Sequence, residues 1–103
     1  MTEDIKTLRP KAKFMAELLR SISNENRLLT LCYLLEQERT VSDITRFLDI
    51  SQPAASQMLL KMKQEGIVSS RQEAQKVLYS VQNKDILEVF HTLSTLCEKM
   101  CKS

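Results

Sequence analysis

Residues 49–66 contain a helix whose beginning and end are both marked by the sequence. Ser51 is a favourable N-cap, and Pro53 falls in the first turn, where a missing N–H costs little. Gly66 supplies the positive φ that commonly ends a helix. About four turns fit between these boundaries. We expect the rest of the chain to fold around this segment, called here the candidate recognition helix.

The two faces of the candidate recognition helix differ in chemistry. Three apolar residues repeat at i, i+4 and i+7 and are predicted to be buried, namely Ala55, Leu59 and Met62. The outward side chains carry amides, hydroxyls, a methyl group and an amine, which are groups that contact base edges in duplex DNA. The candidate DNA-binding residues of this helix are Ser51, Gln52, Ala54, Ser56, Gln57 and Lys61. An ordinary amphipathic helix with a solvated polar face fits the segment equally well, so the flanking segments decide between the two interpretations.

Two amphipathic helices are predicted ahead of it. The first runs from Pro10 to Ser21, and residues 1–9 have apolar positions that could lengthen it. Its apolar stripe is too broad for a single neighbouring helix. The second helix is capped by Ser23 or Asn24. Its predicted inward face consists of Leu28, Leu31, Cys32 and Leu35.

A short third helix completes a helix-turn-helix with the candidate recognition helix. The segment Thr-Val-Ser-Asp from Thr40 resembles a capping box, with Asp in place of the usual Glu. The residues of this helix predicted to face the core are Val41, Ile44 and Leu48. Asp49 and Ile50 form a tight turn between the two helices. Two short helices joined in this way are the arrangement of helix-turn-helix DNA-binding proteins.

After residue 66 the apolar period changes to two, which predicts a β-hairpin wing. Its strands are predicted at residues 67–71 and 76–81. The connection at residues 72–75 contains neither Gly nor Asn-Gly, so a two-residue turn is not expected and the tip is predicted to be loose. The candidate DNA-binding residues of the wing are Arg71, Gln75 and Lys76.

A last helix starting at Asn83 or Asp85 completes a mainly α fold with a small β-hairpin, in the order α-α-α-α-β-β-α. The apolar residues predicted on one side of this helix are Ile86, Val89, Phe90, Leu93, Cys97, Met100 and Cys101. The 103 residues are expected to form one domain, residues 1–103.

Composition limits the classes of protein that the chain can belong to. Apolar residues make up 43% and charged residues 27%, which is typical of a globular protein, and no apolar run approaches the ~18 residues that span a bilayer. The first residues lack the pattern of a signal peptide, so the protein is expected in the cytoplasm with its three cysteines reduced. With one histidine and neither a Gly-rich phosphate loop nor a nucleophile motif, an enzyme is not expected.

The net charge of +2 is a weak sign of nucleic-acid binding, so the distribution of charge over the surface is the more informative property. Residues 51–63 contain two lysines and no acid, which allows one positive surface on a nearly neutral protein.

The order of elements and four short segments resemble the ArsR family of bacterial repressors. The segments are Asn-Arg-Leu-Leu from Asn26, Leu-Asp-Ile-Ser-Gln from Leu48, Ala-Ser-Gln from Ala55 and Arg-Gln-Glu-Ala-Gln-Lys-Val-Leu-Tyr-Ser from Arg71. The resemblance covers residues 10–100 and implies a winged-helix homodimer joined through its first and last helices. It also implies a repressor that binds a palindromic operator in double-stranded DNA and whose affinity an inducer lowers. No cofactor is expected.

The resemblance does not extend to the metal sites of the family. The metal-sensing branch carries two cysteines at the start of the third helix, where this chain has Thr40 and Ser42. Neutral hydroxyls are poor ligands for the soft metals that thiolates bind. A second family site, on the last helix, needs several histidines, and His91 is the single histidine of this chain. No metal is therefore expected at either site.

The segment from Asn26 and the wing are most similar to the branch that senses persulfides or oxidants. There a cysteine of the second helix pairs with one of the last helix, which implies Cys32 as one paired thiol and a reactive sulfur species or oxidant as inducer. The last-helix cysteine of that branch usually falls at the position of Glu98, so its counterpart is either Cys97, the nearer, or Cys101. Two alternatives stay open: the three thiolates bind arsenite or another thiophilic ion, or the cysteines only pack in the core.

Overall fold

The structure, a computed structural model, describes residues 4–101, except the side chains of Cys97, Lys99, Met100 and Cys101. Within this part, the chain forms five helices and a three-stranded antiparallel sheet. In chain order the elements are α1 (Ile5–Ser21), α2 (Glu25–Glu36), β1 (Arg39–Thr40), α3 (Val41–Leu48), α4 (Gln52–Gln64), β2 (Ser69–Glu73), β3 (Lys76–Ser80) and α5 (Lys84–Cys101). The predicted winged helix-turn-helix is confirmed, and β1 is an additional strand.

The helices of the N- and C-terminal parts begin at side-chain caps. Asp4 caps α1, which therefore starts at Ile5 and contains Pro10, the predicted first residue, inside the helix. Asn24, one of the two predicted caps of α2, accepts a hydrogen bond from the backbone N–H of the third helical residue. Asn83 accepts two backbone N–H bonds, at 2.9 and 3.2 Å, in the first turn of α5. These caps satisfy N–H groups that have no partner within their helix.

One apolar core joins α2, α3, α4 and α5 to the residue that follows α1 and to the chain between α4 and β2, and Leu18 of α1 packs against it. Its buried members are Ile22, Leu31, Leu34, Ile44, Leu59, Met62, Ile67, Val68, Ile86 and Phe90. Val41 and Leu48 pack against it, so the predicted inward face of α3 is confirmed. The core covers one side of α4 and leaves its other side in solvent.

The predicted inward face of α2 is wrong at Cys32 and Leu35, which are both exposed. Leu31 and Leu34 are buried, and so is Thr30, whose hydroxyl donates to the carbonyl four residues earlier at 2.7 Å. This bond satisfies the hydroxyl within its own helix, so a polar residue can occupy a buried position. Apolar residues surround most of α2, and their pattern therefore did not fix the centre of the buried face.

The expectation that the hairpin has no two-residue turn is also wrong. Glu73 pairs with Lys76, which leaves a two-residue turn at Ala74 and Gln75. Ala74 has φ 56°, the positive value that a two-residue hairpin turn requires at its first central residue. β2 begins at Ser69, two residues later than predicted. β1 pairs with the other edge of β3, so the strand order is β1-β3-β2.

Apolar side chains remain exposed on α1 and α5. They are Ile5, Phe14, Met15, Leu19, Leu87, Leu93 and Leu96. In α5, Ile86 and Phe90 are buried as predicted, whereas Leu93 is exposed within this chain. The predictions for Cys97, Met100 and Cys101 lie outside the described side chains. No helix in the described residues has the length and apolarity needed to cross a membrane.

Candidate nucleic-acid interface

The candidate recognition helix, α4, is held at both ends by contacts that its sequence predicted. Ser51 Oγ accepts a hydrogen bond from the Ala54 backbone N–H at 3.2 Å. At the other end Gly66 has φ 78°, and the Ile67 N–H donates to the Met62 carbonyl at 2.9 Å. This bond satisfies a carbonyl that would otherwise lack a partner at the helix C-terminus. Local contacts therefore fix both boundaries of α4.

One face of α4 is anchored in the core and the other is open to solvent. Ala55, Leu59 and Met62 are fully buried, as predicted. All the predicted DNA-binding residues of this helix are exposed, namely Ser51, Gln52, Ala54, Ser56, Gln57 and Lys61. The first turn contains no acid, and the helix dipole gives this end of α4 a partial positive charge. The open face thus combines exposed side chains of the types predicted to contact base edges with a positively polarised helix end.

A three-residue connection sets α4 against α3. Asp49 adopts a left-handed conformation, with φ 55° and ψ 50°, and the Ile50 N–H donates to the Thr45 carbonyl at 3.3 Å. α3 begins with the predicted capping box, in which the Thr40 N–H donates to Asp43 Oδ2 at 3.0 Å and the Asp43 N–H donates to Thr40 Oγ1 at 3.1 Å. The first of these bonds is the main cause that lowers the pKa of Asp43. The two helices form the predicted helix-turn-helix.

Arg71 of the wing is engaged by two carboxylates. Its Nε and Nη2 donate to Glu38 at 2.7 and 2.8 Å, and Nη2 lies 2.9 Å from Glu73 Oε2. The hydrogen bonds to Glu38 and Glu73 raise the pKa of Arg71, and the bond from Arg71 lowers the pKa of Glu38. Contact with DNA through Nε or Nη2 therefore requires Arg71 to exchange these carboxylates for phosphate. The sequence analysis missed Glu38, because a pair 33 positions apart leaves no local pattern.

The other two wing residues lie at the tip of the hairpin. Gln75 and Lys76 are exposed and line a groove of about 460 Å³ between the wing tip and the first turns of α3. Arg46 of α3 lines the same groove and is a further exposed cation that the sequence analysis did not select. The structure therefore brings the wing tip next to α3, while the α4 residues form a separate set. A DNA-binding role for either set stays a prediction.

Comparison with known proteins identifies the family. The family model described as bacterial regulatory protein, arsR family, matches residues 24–70. The HTH-type transcriptional regulator YgaV of Escherichia coli (strain K12) is 36% identical over 97 residues, which cover 93% of this chain and 97% of that protein. The chain belongs to the ArsR family of bacterial regulatory proteins. It is accordingly a DNA-binding transcriptional regulator and not an enzyme.

A second relative of this ArsR chain has a solved structure. The transcriptional activator HlyU of Vibrio cholerae is 38% identical over 79 residues, which cover 74% of this chain and 73% of that protein. The solved structure of reduced HlyU from Vibrio cholerae has a TM-score of 0.84 and 32% identity, and the match covers 89% of this chain and 97% of that one. The winged helix-turn-helix is therefore shared along most of both chains.

Cys32 is accessible on the surface of the ArsR fold. Partial burial raises the pKa of its thiol above the ordinary 9.0, and the charge of Glu36, one turn later on the same face, adds to the rise. The protonated thiol therefore predominates near neutral pH. Cys97 and Cys101 lie on α5, and their side chains are outside those described.

Proposed function

We propose that this ArsR-family chain represses transcription as a homodimer bound to a palindromic operator, and that oxidation or sulfur bridging of a cysteine pair lowers its operator affinity. The observation that carries the DNA-binding part is the open polar face of α4 on a helix whose opposite face is fully buried. Gln57 and Ser56 supply hydrogen bonds to base edges there, and Lys61 reaches guanine or phosphate. The N-terminus of α4 and Lys76 of the wing add contacts to the phosphate backbone.

The exposed area of the chain supports a homodimer. The solvent-accessible area is 7680 Å², whereas a compact monomer of this mass has about 6,000 Å². The radius of gyration is 15.7 Å, against about 13 Å for a compact domain of this length. Obligate homodimers cover about 1,000 Å² or more of each chain. The excess area is therefore large enough to form a stable dimer interface.

The apolar side chains exposed on α1 and α5 support the first and last helices as that interface. Phe14 and Met15 of α1 and Val89 and Leu93 of α5 line one groove of about 390 Å³. Apolar grooves of this kind are characteristic of interfaces that a partner covers. In a two-fold dimer the two α4 helices enter successive turns of the major groove, about 34–36 Å apart.

The switch that we propose starts from the exposure of Cys32. Its thiolate attacks a sulfur of a polysulfide, an S–S bond of the polysulfide breaks, and the remaining fragment leaves as the reduced species. A second thiol then attacks the sulfur chain that Cys32 carries, next to its terminal sulfur, and that terminal sulfur leaves as hydrosulfide, so one S–S bond breaks for each that forms. A chain of one added sulfur gives a direct disulfide, and a longer chain leaves added sulfur atoms in the bridge. The second thiol is Cys97 or Cys101 of α5. A bridge through added sulfur atoms spans more than a direct disulfide, whose Cα atoms lie within about 7 Å.

A bridge at Cys32 has a mechanical route to the DNA-binding elements. The neighbouring residue, Tyr33, stacks on Phe47 of α3 with ring centroids 4.0 Å apart and an interplanar angle of 3°. The guanidinium of Arg39, which belongs to β1, lies over the same Tyr33 ring, with Cζ 3.7 Å from its centre. A shift of α2 toward α5 is therefore transmitted to α3 and to the sheet, and it changes the separation of the two α4 helices.

Arsenite as inducer, bound by Cys32, Cys97 and Cys101, stays a prediction, because two of these side chains lie outside those described. Among the described residues no group of three His, Cys, Asp or Glu side chains is placed to hold a metal ion. An arsenite titration separates the two inducers: a thiolate charge-transfer band that rises as DNA binding is lost favours the metalloid.

The DNA-binding part is tested by the salt dependence of duplex binding. If the dimer neutralises roughly 6–10 phosphates, its affinity falls by a factor of about 10³–10⁵ between 50 and 200 mM salt. A fluorescence anisotropy titration at four salt concentrations measures the slope. An affinity that does not change with salt would contradict this mode of binding.

The thiol part is tested by mass spectrometry of the reduced protein after treatment with polysulfide. We expect a peptide containing Cys32 joined to a peptide of α5, with a mass that gives the number of bridging sulfurs. Recovery of Cys32 only as a free thiol would rule out the proposed switch.

A further inference from the structure

A single guanidinium joins three helices at the C-terminal end of α4. Arg27, in the first turn of α2, donates from Nη1 to the Ser21 carbonyl at 2.8 Å. The same nitrogen donates to Glu65 Oε1 at 2.7 Å, and Nη2 lies 3.5 Å from Glu65 Oε2. Ser21 is the last residue of α1, and Glu65 is the C-cap of α4. The C-terminal ends of α1 and α4 therefore share one positive side chain.

The helix ends give this contact its physical basis. The last carbonyls of a helix have no partner within it, and the Arg27 guanidinium satisfies one of them at Ser21. A carboxylate at a helix C-terminus faces the negative end of the helix dipole, so Glu65 is unfavourable at the end of α4 unless a cation offsets it. Arg27 does so with a side chain that is only 13% exposed, against 33% for Glu65. The partial burial limits screening by solvent and salt.

The ion pair crosses an open groove. A groove of about 540 Å³ is lined by residues of α1, α2 and α4, including Arg20, Arg27, Lys61 and Glu65. Close apolar packing therefore does not fix the end of α4 against α1 at this place. The Arg27 bridge is the polar contact that spans it in the described residues.

We propose that Arg27 is a positioning residue for operator binding, which sets the position of α4 relative to α1 without contacting DNA. This inference rests on the proposed function, because it uses α1 as part of the dimer interface and α4 as the recognition helix. The bridge then fixes the distance and angle between the two α4 helices of the dimer. Its loss leaves each α4 able to bind a half-site but relaxes the spacing at which both bind together.

The test starts from a palindromic duplex that the wild type selects from a random library. Binding to this duplex is compared with binding to duplexes in which the spacing between the half-sites is changed by one or two base pairs. A duplex with a single half-site is included. The variants are Arg27→Gln, Arg27→Lys and Glu65→Gln, and thermal unfolding establishes that each is folded at the assay temperature. Arg20→Gln is the matched control, because it removes the same charge from the same groove without breaking the bridge.

We expect Arg27→Gln and Glu65→Gln to weaken binding to the best palindrome by about 2- to 30-fold and to flatten the dependence on spacing, with the half-site affinity unchanged. Arg27→Lys should act in the same direction, since an amine lacks the guanidinium fork. Arg20→Gln should retain the wild-type profile. An unchanged spacing profile in the variants, or an equal loss on the half-site, would overturn the positioning role. If the wild type binds the half-site as tightly as the palindrome, the proposed dimeric operator binding itself is wrong.

Discussion

Replacement of Cys32 by serine separates the sensing role of this residue from a packing role. Cys32 is exposed, so the serine hydroxyl meets solvent and not an apolar interior. Substitutions at such sites change the free energy of unfolding by less than about 0.5 kcal/mol. A hydroxyl in an apolar core without a partner would cost about 1–3 kcal/mol. We therefore expect Cys32→Ser to unfold at nearly the same urea concentration as the wild type.

The response to polysulfide should be lost in the same variant. Coupling between an effector and a binding site is typically worth 1–3 kcal/mol, so the treated wild type should lose roughly 5- to 150-fold in operator affinity. Cys32→Ser should bind the operator like the reduced wild type before and after treatment, since it lacks the nucleophile. Operator titrations by fluorescence anisotropy, with each protein reduced and treated, measure the difference.

Parallel titrations of Cys97→Ser and Cys101→Ser assign the second thiol. The variant that loses its response identifies the partner of Cys32, and retention by the other serves as its control. If treated Cys32→Ser is still released from the operator, the switch lies elsewhere and the reasoning from the exposure of Cys32 is wrong.

Contacts of Cys32, the wing and α3 predict three further outcomes. The pKa of Cys32 is raised, so the rate at which iodoacetamide alkylates it, monitored by mass spectrometry, should increase with pH through that raised pKa. Glu36→Gln should move this pH profile to lower pH, and an unmoved profile would contradict the influence of the Glu36 carboxylate. Glu38→Gln should weaken the hold on Arg71, which keeps its ion pair with Glu73, and should strengthen binding to operator and random duplex alike, most at low salt, whereas weaker binding of both would assign Glu38 to wing positioning. Thr40→Ala removes the cap of α3 and should lower the free energy of unfolding by about 0.5–2 kcal/mol in urea denaturation, so an unchanged midpoint would refute the role of the cap.

Elements with local signals were predictable from the sequence. The limits of α4 depend on Ser51 and Gly66, which act on backbone groups within a few residues, so their effect is contained in the segment itself. The capping box of α3 is also local, because its two hydrogen bonds join positions three residues apart. The buried face of α4 followed from a spacing that one helix alone determines.

Features that depend on distant parts of the chain were not predictable. β1 has only two residues, and it exists because Arg39 pairs with Tyr79 across 40 positions. The ion pairs of Glu38 with Arg71 and of Arg27 with Glu65 join residues 33 and 38 positions apart. Neither periodicity nor a capping pattern reports such contacts.

The prediction of the buried face of α2 was wrong at two positions for a different reason. Apolar residues occupy both sides of this helix, so the pattern allowed more than one inward face. The choice depends on Thr30, whose hydroxyl is satisfied by a carbonyl of its own helix and can therefore be buried. The exposure of Cys32 follows from that choice and makes its thiol accessible to solvent.

The central claim, that the exposed face of α4 reads the operator, is tested most directly by Gln57→Ala with Gln64→Ala as its control. Both glutamines are exposed on α4, but Gln57 lies in its N-terminal half and Gln64 is its last residue. In titrations of a selected operator and a random duplex, Gln57→Ala should cost about 1–3 kcal/mol on the operator and little on the random duplex. Gln64→Ala should change neither. Equal losses on both duplexes for Gln57→Ala, or a larger operator loss for Gln64→Ala, would contradict the assignment of the reading face.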